Sequence, residues 1–216
     1  MKNSYSLKDK VIIVTGGTGI LGNSFIKGIA EAGGTVGILG RNEAVANERA
    51  DAINKNGGKA VALIADEMDK NQLISAREKV LAQFGRIDGL VNGAGGNMPE
   101  GVLQPDEDIF SMNLDGMKKV MELNLWGTLL PTQVFGEEIA KPLLEKMEQG
   151  LSEFSLPHTR KFGQDETQSI LHFSKGDQKD FTFFNRFDVT LKQPGKEDLT
   201  QTCFVGQQYN YTLQER

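Results

Sequence analysis

The stretch Thr15-Gly16-Gly17-Thr18-Gly19-Ile20-Leu21-Gly22 says most about chemistry. Gly17, Gly19 and Gly22 stand at G-x-G-x-x-G spacing, after an apolar run and at the opening of a helical pattern. Small residues let a backbone come close to a pyrophosphate, and the start of a helix offers free N–H groups with the positive end of its dipole. A tight turn with no ligand is the plain alternative. Three further features follow in chain order: Asp66, with Glu67 beside it; Asn92-Gly93-Ala94-Gly95; and Asn124 within Leu123-Asn124-Leu125-Trp126-Gly127. Taken singly, Asp66 could cap a helix, Asn92 could sit in a turn, and Asn124 could be a polar residue on a helix face.

These residues need elements to hold them, and the hydrophobic pattern supplies the elements. Lys10 to Val14, Thr35 to Leu39, Ala60 to Ala65 and Ile87 to Val91 read as short buried strands. Between them lie helices at Ser24 to Ala32, Glu43 to Asn56 and Lys70 to Phe84, the first two ended by Gly33-Gly34 and Gly57-Gly58. Asp106 to Phe110 and Met117 to Lys141 read as helical, and Leu143 to Gln149 extends the last helix. Strands alternating with helices of this length mean right-handed βαβ units. The fold class expected is α/β: a partial Rossmann fold with a parallel sheet of about four strands and flanking helices, then a small β-rich C-terminal segment.

Composition changes along the chain. Of 25 glycines, 21 lie in residues 1–150, whereas eight of 12 phenylalanines lie in residues 151–216. We therefore place a dinucleotide-binding domain at 1–150 and a β-rich tail at 151–216. In the tail, Phe181 to Leu191 alternates, with Phe181, Phe183, Phe187, Val189 and Leu191 expected on one face. Gln193-Pro194-Gly195-Lys196 reads as a turn and Leu199 to Val205 as a return strand. Residues 169–206 are thus expected to form a hairpin or small meander, and Ser152 and Ser155 to lie in a loop. The formal charge of −5 argues against nucleic-acid or membrane-surface binding, which needs a basic patch. One cysteine, Cys203, excludes an intrachain disulfide and fits a cytoplasmic setting. The run Val11-Ile12-Ile13-Val14 is too short for a signal peptide or membrane span. No metal site is expected, since His158 and His172 have no partner at ligand spacing. Both read as structural or solvated.

Together, residues 8 to about 141 resemble the short-chain dehydrogenase/reductase family, and within it the sugar-acid reductases of the D-mannonate oxidoreductase type. The resemblance implies roles for residues of this chain. The turn containing Gly16, Thr18, Gly19, Ile20 and Gly22 would hold a pyrophosphate. Asp66 and Glu67 would flank an adenine, and Asn92, Gly93, Ala94 and Gly95 would floor the nicotinamide ribose. Asn124 would be the catalytic asparagine that organises a proton-relay water. At the tip of the second strand, Leu39-Gly40-Arg41-Asn42 carries no acid for a ribose 2′-hydroxyl, while Arg41, with Asn42 beside it, could pair with a 2′-phosphate. NADP is therefore expected ahead of NAD.

The chain also departs from the family. Its members work with a Tyr-x-x-x-Lys pair and an upstream serine. Here the tyrosines are Tyr5, Tyr209 and Tyr211, followed four residues later by Asp9, Leu213 and Glu215. The strands that complete the family's sheet are also missing. The reading is of an NAD(P)-binding protein with little or no catalysis of its own. The alternatives are an active oxidoreductase on a carbonyl or alcohol substrate, and a non-enzymatic fusion or interaction module. The expected partners are a dinucleotide and a small carbonyl or alcohol, with a homo-oligomer left open.

Overall fold

A computed structural model of the chain describes residues 6–103, 105–162, 164–176 and 181–205. Contacts group the chain into two compact units, one of them Leu7–Ala140 and the other containing Lys141 onward.

The first unit is an α/β layer structure. Its strands are β1 (Val11–Thr15), β2 (Thr35–Gly40), β3 (Lys59–Ile64) and β4 (Gly89–Asn92). They pair in parallel in the order β3-β2-β1-β4. Parallel neighbours need a crossover, and α1 (Ile20–Glu31), α2 (Glu43–Lys55) and α3 (Lys70–Phe84) provide it. Helices then cover both faces, which explains why β2 is buried at all six positions rather than alternating. Ile13, Leu39 and Leu63 pack with Leu73, Val80 and Phe135 on one side. Val14, Val36 and Ile38 pack with Ile26, Ala46 and Ile53 on the other. Strand order reverses between β2 and β4 around β1, so the C-terminal ends of β1 and β4 open the crevice where ligands of such sheets bind.

After β4 come 3₁₀ turns at Pro99–Gly101 and Ile109–Ser111, then α4 (Leu114–Glu148). The helix expected at Asp106 to Phe110 is not formed. Asp108 caps a single 3₁₀ turn, its carboxylate accepting from Phe110 N and Ser111 N, and the chain turns away at Met112. Helix α1 begins one turn earlier than its apolar spacing suggests, because Gly19 caps it and Ile20 and Leu21 lead it while exposed.

From β5 (Glu153–Phe162) the second unit runs through β6 (Asp165–Lys175) and β7 (Thr182–Lys192) to β8 (Leu199–Phe204), an antiparallel sheet in chain order. The expected meander is therefore one strand larger, and Ser155 lies in β5 rather than in a loop. Pro157 disguised that strand, but β5 is an edge, where proline is tolerated. The turn at Gln193–Lys196 is present, with Lys196 N donating to Gln193 O and Gly195 at φ +73°.

The strict alternation expected for Phe181 to Leu191 fails at one residue. His172 pairs with Arg186, but the next residue, Phe173, pairs with Phe184, so Asn185 is an extra residue in β7. One extra residue reverses the faces on either side of it. Phe184 thus joins Phe187, and Phe154, Phe173, Phe184 and Phe187 form a row with successive centroids 5.1, 5.1 and 6.2 Å apart. Phe181 and Phe183 are exposed instead.

Candidate functional site

The site is built where β1 ends. Gly16 turns the chain at φ +62°, and an added Cβ there would lie 2.6 Å from Gly93 O. A Cβ on Gly22 would lie 2.1 Å from Gly16 O, so α1 packs directly on the turn. Thr15, fully buried, accepts from both Gly93 N and Ala94 N at 3.1 Å and ties the ends of β1 and β4 together. Gly17 N donates to Leu39 O at 2.9 Å and Gly19 N to Gly16 O at 2.9 Å. Gly19 then caps α1 without a side-chain hydrogen bond, and the first turn of α1 carries no acid. A Cβ on Gly19 would touch only Gly16 O, at 3.2 Å. The surface above the turn is therefore bare backbone ending in the uncapped start of a twelve-residue helix. This cradle fits a pyrophosphate.

The rim residues lie at the neighbouring strand ends. Thr18 packs over Gly40, where a Cβ would come within 2.6 Å of Thr18 Oγ1. Arg41 is exposed at the tip of β2, 3.9 Å from Asp66 Oδ2. Asn42 is the N-cap of α2, its Oδ1 accepting from Val45 N at 3.1 Å. Asp66 does not cap α3. It accepts from Met68 N at 2.9 Å, while Asp69 is the cap. Glu67 is buried, with its chain near Gly127.

Asn92 ends β4 and donates from Nδ2 to Thr132 Oγ1 at 3.0 Å. Asn124, on α4, holds the loop that follows. Its Oδ1 accepts from Gly96 N at 3.2 Å, and its Nδ2 donates to Gly96 O and Val120 O at 2.8 Å each. Gly95, at φ +153°, leaves room for that amide; a Cβ would approach Asn124 Oδ1 to 2.6 Å. Asn124 therefore fixes the backbone beside Gly95 and Gly96, and its amide is engaged with backbone groups.

The fold thus gathers Gly16, Thr18, Gly19, Ile20, Gly22, Arg41, Asn42, Asp66, Glu67, Asn92, Gly93, Ala94, Gly95 and Asn124 at and around the C-terminal ends of the parallel strands. One participant was missed in the sequence, and one was seen without its role. Thr15 was read as the first residue of the glycine turn, but its hydrogen bonds with Gly93 and Ala94 do not show in the spacing. Arg49 lies among Ala46, Ala50 and Ile53, the buried stripe of an otherwise polar helix. An arginine on that stripe was the available signal. Its Nη1 donates to Gly17 O at 2.6 Å and to Gly19 O at 2.8 Å.

Among the described residues two carboxylates, Asp88 and Asp188, have altered acidity, and neither lies in the turn. Burial acts to raise Asp88, but hydrogen bonds from Arg86 and Val11 N and the nearby Lys10 outweigh it and hold the group below the usual carboxylate range. In the second unit, the Thr202 hydroxyl and the His172 ring, at 2.6 and 2.7 Å, lower Asp188 in the same sense. Among the described residues no cluster of histidine, cysteine and carboxylate side chains could hold a metal, and no helix is long and apolar enough to cross a membrane. Tyr5, Tyr209 and Tyr211 lie outside the described residues.

Comparison with known proteins agrees with this geometry. The profile of the short chain dehydrogenases matches residues 10–148. An uncharacterized oxidoreductase of Bacillus subtilis, UxuB, is 35% identical over 144 residues, which are 63% of this chain and 52% of that protein. Sorbose reductase sou1 of Schizosaccharomyces pombe is 31% identical over 65% of this chain and 54% of its own length. Among solved structures, one assigned as a D-mannonate oxidoreductase from Haemophilus influenzae, with bound NAD, superposes with a TM-score of 0.57 at 33% identity. It covers 62% of this chain and 52% of that one. The chain spans about half the length of the curated relatives it matches.

Proposed function

The chain belongs to the short-chain dehydrogenase family, and from that premise we propose that its first unit binds a nicotinamide dinucleotide in the crevice above β1 and β4. The observation that carries this reading is the glycine cradle of residues 16–22. It is closed underneath by backbone contacts at Gly16 and Gly22 and left bare at Gly19, where α1 begins uncapped. Arg41 and Asn42 at the tip of β2 are proposed to face the adenosine ribose, Asp66 and Glu67 the adenine, and Asn92 to Gly95 the nicotinamide ribose. The Haemophilus structure carries NAD. We rank NADP ahead of NAD because residues 39–42 at the tip of β2 carry Arg41 and no acid; Asp66, 3.9 Å from Arg41, comes from the end of β3.

A bound nicotinamide supplies a hydride donor or acceptor. The chain's own residues position it, and they lack the tyrosine–lysine pair that would move the matching proton. Asn124 cannot replace that pair, because an amide does not titrate near neutral pH and this one is hydrogen-bonded to Gly96 and Val120. We therefore assign cofactor binding with little or no turnover, since general acid–base catalysis contributes roughly 10²–10⁴-fold. Fluorescence titration with NADPH and NADH tests the binding. Arg41→Ala is expected to weaken NADPH by about 1.5–3 kcal/mol, a charge-assisted hydrogen bond, and to spare NADH. Equal losses would remove NADP preference from the account. Turnover of sugar-acid carbonyls within tenfold of a full-length family reductase would overturn the assignment of weak catalysis.

A further inference from the structure

We infer that Arg49 is a positioning residue for the dinucleotide's pyrophosphate, an inference that rests on the cofactor-binding reading above. A glycine turn that aims its N–H groups at an anion aims its carbonyls the other way, toward the protein. Those oxygens need donors. Gly16 O has Gly19 N, and Gly19 O has Asn23 N at 3.1 Å. Arg49 Nη1 reaches across from α2 to Gly17 O and also to Gly19 O, at 2.6 and 2.8 Å. One guanidinium nitrogen therefore joins two carbonyls on either side of Thr18, and α2 thereby fixes the shape of a turn that belongs to β1 and α1.

The contact has a second consequence. Arg49 forms no ion pair with any described residue. With no carboxylate of the described residues paired to it, the guanidinium beside Gly17 O and Gly19 O adds to the dipole of α1 in favouring a dianionic pyrophosphate on the outer side of the turn. Arg41 reads the far end of the adenosine. Arg49 acts through the turn and is indifferent to a 2′-phosphate, so the two arginines have separable effects.

The test is binding of ADP-ribose, NADH, NADPH and adenosine to wild type, Arg49→Met and Arg49→Lys at two salt concentrations. Arg49→Met should weaken ADP-ribose, NADH and NADPH alike by about tenfold, the scale of a charge-assisted hydrogen bond. It should flatten their salt dependence and leave adenosine, which has no phosphate, unchanged. Arg49→Lys should recover part of the loss, since its ammonium keeps the charge but not the fork geometry. A general structural defect would weaken adenosine by the same factor. That result, or unchanged ADP-ribose affinity, overturns the inference while leaving the cofactor reading intact. If wild type binds neither ADP-ribose nor NADH, the cofactor reading fails and the inference with it. Should Arg49→Met not fold, the comparison of ADP-ribose with adenosine in Arg49→Lys decides.

Discussion

The two sheets of this chain solve the same problem in opposite ways. The parallel sheet β3-β2-β1-β4 joins its strands through helices, and those helices bury both of its faces. The antiparallel sheet β5-β6-β7-β8 joins neighbouring strands in chain order by connections too short to hold a covering helix. Among the described residues the buried hydrophobic side chains all lie at or before Phe135, and none from Lys141 onward is buried. Connection type thus decides which sheet acquires a core. The core in turn decides which sheet can hold backbone rigidly enough to form a binding turn. The glycine cradle stands on the buried ends of β1 and β2, whereas the second sheet offers a partly buried phenylalanine row and a His172–Asp188–Thr202 cluster whose His172 and Asp188 are only partly buried.

The comparison is most sharply tested by Gly22→Val. The new Cβ would meet backbone oxygen at 2.1 Å, and neither partner can yield without moving β1 or α1. A loss of about 4 kcal/mol or more is expected, read by denaturant unfolding through Trp126 fluorescence. A loss below about 1 kcal/mol would show that the turn is not rigidly supported. Next in size is a pair of phenylalanine truncations. Phe135→Ala, at a fully buried site, should cost about 3–5 kcal/mol. Phe173→Ala, in the partly buried row, should cost about 1 kcal/mol, part of a full burial. Equal losses would contradict the claim that only the first unit has a core.

A smaller pair concerns pH. Asp88 titrates below its unfolded value, so its contribution is complete above the ordinary carboxylate range and is lost as pH falls through the lower folded value. Asp88→Asn is expected to cost roughly 1–3 kcal/mol at neutral pH, with the gap to wild type closing in acid. Asp188 is depressed in the same direction but its side chain is more accessible than that of Asp88, 26% against 12%, so Asp188→Asn should move the neutral-to-acid unfolding curve less than Asp88→Asn does and should shift the His172 ring resonances. A pH-dependent loss at Asp188 as large as that at Asp88 would break the contrast.

What could be read in advance follows the same division. Continuous apolar runs such as Val36 to Leu39, punctuated by Gly33-Gly34 and Gly57-Gly58, disclosed the parallel sheet, because strands buried on both faces carry no other pattern. The glycine turn, Asp66, Asn92 and Asn124 were legible from type and spacing. What they touch was not. The engagement of Asn124 with Gly96 and Val120, and the cap role that falls to Asp69 rather than Asp66, depend on distances that spacing does not contain. Arg49 escaped because its two acceptors are backbone oxygens thirty and more residues away. In the second unit, β5 hid behind Pro157 and the bulge at Asn185 inverted half of β7. A period-two pattern survives neither an edge proline nor an extra residue.

The central claim is that the turn of residues 16–22 receives a nicotinamide dinucleotide, and Gly19 isolates it from the fold. Gly19 sits at ordinary φ, and its Cβ would meet only one backbone oxygen, at 3.2 Å. Gly19→Val should therefore keep the unfolding midpoint close to wild type while placing methyl groups where the pyrophosphate would lie. The deciding measurement is equilibrium titration of NADPH and NADH into wild type and Gly19→Val, each checked for unchanged unfolding. The account predicts saturable binding by wild type and a loss of about tenfold or more in the variant, the cost of one strong phosphate contact. Equal affinity in the two proteins, or no binding by wild type, would contradict it.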